Sequence, residues 1–260
     1  MNVLQDRVIV LTGASRGLGE AMAVGLAAEG AALVLAARTV PDLQRVAERC
    51  TELGAAAVLS VGADVTMEND VKELFQVALE KFGRIDAFVA NAGVSPASLS
   101  GAQPRSLKDY DFETVQRMFA VNSIGVWLCM KEALAQMGTG GSFIAIGSGM
   151  PGSSSGGMLS VTKGCVDMLV ALGAGETDAT GVRVNCLAPG GMVNTHLFGP
   201  NKMPERLRQL PMSHEPEIIV PAAVWLASTA SAGVNGAQLT GVEFNAIGAQ
   251  GILAKLGNHA

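Results

Sequence analysis

The stretch Thr12-Gly13-Ala14-Ser15-Arg16-Gly17-Leu18-Gly19 constrains this chain more than any other. It follows the apolar, β-branched run Arg7-Val8-Ile9-Val10-Leu11, short enough to be a buried strand. It precedes residues 20–29, which are mostly good helix formers. The glycines therefore stand where a strand turns into a helix. Such a turn leaves backbone N–H groups free at a helix N-terminus, where a dinucleotide pyrophosphate can lie. Gly13 permits a tight turn, Gly17 puts no side chain in the way of a phosphate, and Gly19 lets helix and strand approach closely. The spacing is G-x-x-x-G-x-G, not the commoner G-x-G-x-x-G. Taken alone, the turn also reads as a strand–helix junction with no ligand.

The rest of the chain repeats the alternation. Further buried strands are expected at 32–37, 57–61, 85–90, 142–146, 182–187 and 239–244. Between them come helices at 41–53, from Thr66 as cap to 82, at 111–137, 158–177 and 218–228. Residues 94–105 read as a loop and 147–157 as a flexible Ser/Gly-rich stretch. Residues 192–213, with three prolines, read as a mobile lid over the substrate. With right-handed crossovers this pattern gives an α/β, Rossmann-type doubly wound fold. Its seven-stranded parallel sheet has helices on both faces, in a single domain over 1–260. Ligands of such sheets bind at the carboxyl ends of the strands, where every Gly-, Ser- and Asn-rich segment falls.

Composition narrows the class. Apolar residues are 49% of the chain, enough to bury a sheet on both faces, and aromatics only 4%. A net charge of −5 with no Lys/Arg run argues against nucleic acid or an anionic membrane as partner. Residues 21–37 are apolar enough to suggest a membrane span, but Glu29-Gly30 divides them into helix and strand. The cysteines Cys50, Cys129, Cys165 and Cys186 lack C-x-x-C spacing and read as reduced thiols of a cytoplasmic protein. With only His196, His214 and His259, a His/Cys metal site is not expected.

With these segments in order, the chain resembles the short-chain dehydrogenase/reductase family over nearly its whole length. The residues that carry the resemblance are Thr12-Gly13-x-x-x-Gly17-x-Gly19, Asp64-Val65, Asn91-Ala92-Gly93, Asn122, Ser148, Lys163 and Pro189-Gly190. The resemblance implies roles for them. The turn holds the pyrophosphate, Asp64 and Val65 meet the adenine, and Asn91, Ala92 and Gly93 steady the central strand beside the cofactor. Lys163 bonds the nicotinamide ribose, and Ser148 orients the substrate carbonyl. After Pro189-Gly190, Thr195 contacts the carboxamide, at a spacing one residue longer than the family's. It also implies a small-molecule substrate and a homo-oligomer, tetramer or dimer.

The end of the second strand chooses between cofactors. An NAD enzyme places Asp or Glu there for the ribose 2′-hydroxyl. This chain has Ala37 and Arg38, with Arg16 in the turn, so two guanidiniums can pair a 2′-phosphate. NADP is therefore expected over NAD. The alternative is that both arginines are solvated surface residues.

One departure matters. The family's catalytic motif is Tyr-x-x-x-Lys, and the residue four before Lys163 is Leu159, which has no proton to give. The only tyrosine, Tyr110, lies far from that position in sequence and is set aside as a catalytic group. The stretch from Ser148 to Leu159 is about two residues shorter than the family's. Ser153, Ser154 and Ser155 within it read either as linker or as a substrate contact. His196, beside Thr195, reads either as a solvated loop residue or as a substitute proton donor. His214 and His259 are weaker candidates, and Lys163 acting through water is another route. Three functions stay open: an NADP-dependent oxidoreductase with altered proton delivery, an inactive NADP(H)-binding paralogue, and a non-redox lyase or isomerase.

Overall fold

The computed structural model describes residues 2–101, 104, 106–148 and 157–257. Its elements run β1 (Val8–Thr12), α1 (Gly17–Ala28), β2 (Ala32–Ala37), α2 (Val40–Glu52), β3 (Ala57–Gly62), α3 (Glu68–Phe82) and β4 (Ala87–Ala90). Then come α4 (Pro96–Ser100), α5 (Phe112–Phe119), a π-helical turn (Ala120–Ile124), α6 (Gly125–Gln136), β5 (Ser142–Ile146), α7 (Met158–Ala174) and α8 (Thr177–Thr180). The chain closes through β6 (Arg183–Ala188), β7 (Met192–Val193), α9 (Glu205–Arg208), β8 (Ser213–His214), α10 (Val220–Ala227), β9 (Gln238–Thr240) and α11 (Gly241–Gly257).

The main sheet has seven strands in the order β3-β2-β1-β4-β5-β6-β9, and every neighbouring pair is parallel. The chain leaves β1 outward through β2 and β3, then crosses back and builds β4, β5, β6 and β9 the other way. The reversal lies between β1 and β4, and their carboxyl ends open the crevice where ligands of such sheets bind. β1, β4 and β5 are buried at every residue, which is why their sequences show no alternation of polar with apolar residues. One face packs Leu11, Leu33 and Ile144 against Met22, Leu26, Leu226 and Ile252. The other packs Val10, Phe88 and Phe143 against Phe75, Met118, Val126 and Val166. Three of the few aromatics make a single stack: Phe75 on Phe88 at 4.9 Å and Phe88 on Phe143 at 5.6 Å between ring centroids.

Several element boundaries differ from the sequence reading. The strand expected over 239–244 stops at Thr240, because Thr240 caps the next helix. Its Oγ1 accepts the N–H of Glu243 at 3.1 Å, and a Thr-x-x-Glu start outweighs the apolar alternation of Val242 and Phe244. Thr66 does not cap α3. Its hydroxyl donates to Asp64 Oδ1 at 2.7 Å, and the helix starts after Met67 with no side-chain cap. The loop at 94–105 contains α4, started by Ser95, whose Oγ accepts the Ser98 N–H at 3.1 Å. The helix expected over 111–137 starts on Asp111 and contains the π turn at Ala120–Ile124. The segment 192–213 is built of the β7–β8 pair, α9 and a 3-10 turn at His196–Phe198. Residues 149–156, the greater part of the stretch read as flexible, lie outside the described residues, as does His259.

The run Phe112–Gln136 is long and apolar enough to span a bilayer by length and composition. Most of it is buried, however, and Met118, Val121, Val126 and Met130 fill the core behind the sheet.

Close packing at Gly19 gives a stability test. A Cβ there would overlap the Gly13 carbonyl oxygen and stand 2.7 Å from Asn91 Nδ2, whereas a Cβ on Gly138 meets nothing within 4 Å. Gly19→Ala should lower stability by about 1–3 kcal/mol in chemical denaturation. Gly138→Ala should stay within about 0.5 kcal/mol of wild type.

Candidate active site

The crevice begins at the β1–α1 turn. Gly13 (φ 65°) and Gly17 (φ 59°) adopt the left-handed conformation that favours glycine. Asn91, just beyond β4, holds the turn in place. Its Nδ2 donates to the carbonyls of Thr12 (2.9 Å) and Gly13 (3.1 Å), and its backbone N–H donates to Thr12 Oγ1 at 3.1 Å. α1 starts at Gly17 after an extended Arg16 that contributes no side-chain cap. Its first N–H groups are thus left for whatever lies in the crevice. A Cβ at Gly17 would come within 3.2 Å of Thr195, which faces the turn from the segment after β6. Turn and Thr195 thereby form a narrow cradle. Its residue types, bare backbone on one side and a hydroxyl on the other, fit a pyrophosphate.

At the end of β2 the charges come together. Asp64 Oδ2 meets Arg117 at 2.9 Å and Arg38 more loosely at 4.0 Å, while its Oδ1 takes the backbone and side-chain donors of Thr66. Partial burial works to raise the Asp64 carboxyl. Hydrogen bonds from Thr66 and from the Arg117 guanidinium outweigh it and hold the group below the ordinary carboxylate range. Because Arg117 carries most of the pairing, Arg38 stays half-exposed at the crevice wall beside Ala37. Arg16, in the β1–α1 turn, lines the same cleft. Arg45 buttresses the turn from behind, donating to Glu20 at 2.7 Å and to the Ser15 carbonyl at 3.4 Å.

At the other end stands α7. Lys163 is buried and donates to the Ile146 carbonyl at 2.6 Å. Burial pushes its ammonium down to about 8, partly offset by Cys186 and Asp167. Asn122, fully buried in the π turn, accepts from Val94 N–H (2.8 Å) and donates to the Val94 carbonyl (2.9 Å) and Thr162 Oγ1 (3.0 Å). Both amide hydrogens are thus taken by the protein, and Asn122 ties the segment after β4 to α7. Leu159, Ser148, Gly93, Pro189 and Gly190 line the crevice near Lys163 or opposite it. The whole cleft has a volume of about 1440 Å³, room for a dinucleotide and a small substrate together.

The structure brings the cofactor candidates Gly13, Ser15, Arg16, Gly17, Leu18, Gly19, Arg38, Asp64, Val65, Asn91, Ala92, Gly93, Lys163, Pro189, Gly190 and Thr195 into this one cleft. His196 also lines it, with its Nδ1 buried and, among the described residues, without a hydrogen-bond partner. Partial burial and the charges of Arg16 and Lys202 hold its imidazole below the ordinary value, offset by Asp42 and Glu20. His214 sits in β8 and lines a smaller hollow with Leu210 and Met212. Ser153, Ser154 and Ser155 lie outside the described residues.

The contact that Tyr110 makes with α7 was not visible in the sequence. The Tyr110 phenol oxygen accepts the backbone N–H of Met158 at 3.1 Å, at the start of α7, and the residue lines the cleft with Leu159, Ser148 and Lys163. A gap of 48 residues hid this neighbour, and no local pattern could have shown it. The one available signal was that the chain has a single tyrosine.

The short chain dehydrogenase family model matches residues 7–205. The NADPH-dependent aldehyde reductase-like protein of Arabidopsis thaliana chloroplasts is 31% identical over 254 residues, covering 90% of this chain and 92% of that protein. The 3beta-hydroxysteroid dehydrogenase 1 of Eggerthella lenta is 32% identical over 255 residues, 91% of this chain and 92% of that one. Among solved structures, the 3-ketoacyl-(acyl-carrier-protein) reductase of Brucella melitensis in complex with NADH superposes with a TM-score of 0.78 at 27% identity. It covers 91% of this chain and 96% of that one.

The lowered Lys163 value has a consequence for stability. The folded value, about 8, lies below the ordinary lysine value of 10.5, so between the two the unfolded chain holds more protons and stability rises with pH. The buried Cys129 and Cys186 thiols, pushed up to about 12, act in the opposite sense. Comparison with Lys163→Met removes their contribution. Between about pH 7.5 and 9.5, the urea midpoint of wild type should rise relative to that of Lys163→Met. A constant difference would show that Lys163 is not held down by burial.

Proposed function

This chain belongs to the short chain dehydrogenase family and is an oxidoreductase of it, and on that premise we propose that it interconverts a small carbonyl compound and its alcohol with NADP(H) as the preferred cofactor. The observation that carries the cofactor preference is the wall after β2. Arg38 lines it and Arg16 lines the same cleft from the β1–α1 turn, Ala37 stands where an NAD enzyme needs a carboxylate, and the nearby Asp64 is paired chiefly with Arg117. The residues that would hold the dinucleotide are the β1–α1 turn and Thr195 at its pyrophosphate, Asp64 and Val65 at its adenine, and Lys163 at its nicotinamide ribose. When bound, the nicotinamide supplies or takes the hydride. The protein keeps the site apolar around Leu159 and holds a buried cation, Lys163, beneath it. In this reading Leu159, one turn before Lys163, stands where the family places its catalytic tyrosine, so proton delivery is altered. Residues 192–213 act as the lid of a single catalytic unit. Ser95 Oγ, donating to the Leu197 carbonyl at 2.5 Å, ties that lid to the segment after β4. Four free thiols support a reducing, cytoplasmic location.

The same reading includes self-association. Met118, Val126, Met130, Val166 and Val170 are buried in the core. Among the described residues of these helices, the large apolar side chains left exposed are Phe112, Ile124 and Trp127 on the run Phe112–Gln136 and Val161, Met168 and Leu172 on α7. Pairing of these faces about a two-fold axis would cover them in a dimer, and a second axis would give a tetramer.

Two measurements test the reading. Fluorescence titration should give NADPH an affinity about tenfold or more above that of NADH, and Arg38→Asp should reverse the order. Equal affinities, or a preference for NADH, would contradict the arginine assignment. Light scattering at micromolar concentration should give the mass of a dimer or tetramer, and a monomeric mass would remove the proposed contact.

A further inference from the structure

We propose that Tyr110 has taken over proton transfer, so that the phenol missing from position 159 reaches the substrate from the segment before α5. The inference rests on the reading of the cleft as a nicotinamide-dependent carbonyl site. Four observations carry it. The phenol of Tyr110 lies at the first turn of α7, the helix that carries Leu159 and Lys163, and lines the same cleft as Ser148. Its oxygen accepts the Met158 N–H, and among the described residues nothing accepts its hydrogen, so the O–H is left to be donated. Gly157 makes room for it. A Cβ there would overlap the phenol oxygen, and its φ of 57° independently favours glycine. Finally, this is the single tyrosine of the chain, and Leu159 has no proton to supply.

The chemistry balances without a further reactant. In reduction, the carbonyl carbon accepts a hydride with its electron pair from the reduced dinucleotide, which becomes oxidised. The carbonyl π bond opens onto oxygen, and that oxygen takes the proton as the Tyr110 O–H bond breaks. The electron pair of that bond stays on the phenol oxygen, where the Met158 N–H and the positive end of α7 stabilise the charge until solvent returns a proton. Oxidation of the alcohol runs the same steps backwards.

The test compares wild type, Tyr110→Phe and Tyr110→Phe/Leu159→Tyr, with 4-nitrobenzaldehyde as an electron-poor probe and NADPH as reductant. Tyr110→Phe should bind NADPH within about twofold of wild type and keep KM for the aldehyde, while kcat falls roughly 100-fold or more. Adding Leu159→Tyr should recover about tenfold or more of the loss, because the phenol then stands one turn from Lys163. A merely structural role at the start of α7 would raise KM or weaken NADPH binding, and Leu159→Tyr would not repair it. A readout that does not need turnover uses wild type labelled with 3-fluorotyrosine, which gives one ¹⁹F resonance. NADP⁺ should move that resonance, and 2′-phospho-ADP-ribose, which lacks the nicotinamide, should leave it in place. An unchanged kcat in Tyr110→Phe, or a resonance that ignores NADP⁺ although NADP⁺ binds, overturns the proposal and leaves the cofactor reading intact. Failure of both NADPH and NADH to bind overturns both.

Discussion

The site depends on one junction. Asn91, at the end of β4, fastens its amide to the carbonyls of Thr12 and Gly13, and Gly19 packs directly on the Gly13 carbonyl. These contacts fix the turn from β1 into α1 at the point where the strand order reverses. They leave the N-terminal N–H groups of α1 facing the crevice instead of facing other side chains. A cradle built from backbone cannot be adjusted by rotamers, so its precision is set by how tightly glycines can pack. Arg45, bonded to both Glu20 and the Ser15 carbonyl, adds a brace from α2.

The second half of the site is held by buried polar bonds. Asn122 clasps Val94 and Thr162, Ser123 donates to the Thr162 carbonyl at 2.9 Å, and Lys163 donates to Ile146. The π turn at Ala120–Ile124 presents Asn122 and Ser123 to α7 side by side. α7 is thus anchored to β4, β5 and the helix beside it, and its first turn is in place to receive a phenol from the segment before α5. The family's usual solution puts phenol and ammonium on one helix. Here the ammonium stays on α7, and the phenol oxygen reaches the same helix start from outside it.

The sequence was most legible where function demands backbone. The turn from Thr12 to Gly19, the strand β5 over Ser142–Ile146 and the crevice at the strand ends all follow from local pattern, because glycine spacing and buried apolar runs are local properties. Boundaries failed where a side chain captured a backbone donor unexpectedly. Thr240 took the Glu243 N–H and ended a strand, and Thr66 turned to Asp64 and left α3 uncapped. The least legible residue was Tyr110. Its place in the cleft depends on a contact between segments far apart in the chain, for which Gly157 leaves room, and neither residue type nor spacing announces it. Arg117 was hidden in the same way. Its pairing with Asp64, 53 residues away, is what leaves Arg38 half-exposed at the cofactor wall.

The most direct measurement is a crystal structure of the protein grown with NADP⁺. The expected result has the pyrophosphate on the first N–H groups of α1, the 2′-phosphate between Arg16 and Arg38, and the Tyr110 hydroxyl facing the nicotinamide across the space beside Leu159. A dinucleotide bound with its 2′-phosphate turned away from both arginines, or a Tyr110 side chain directed out of the cleft, would contradict the account.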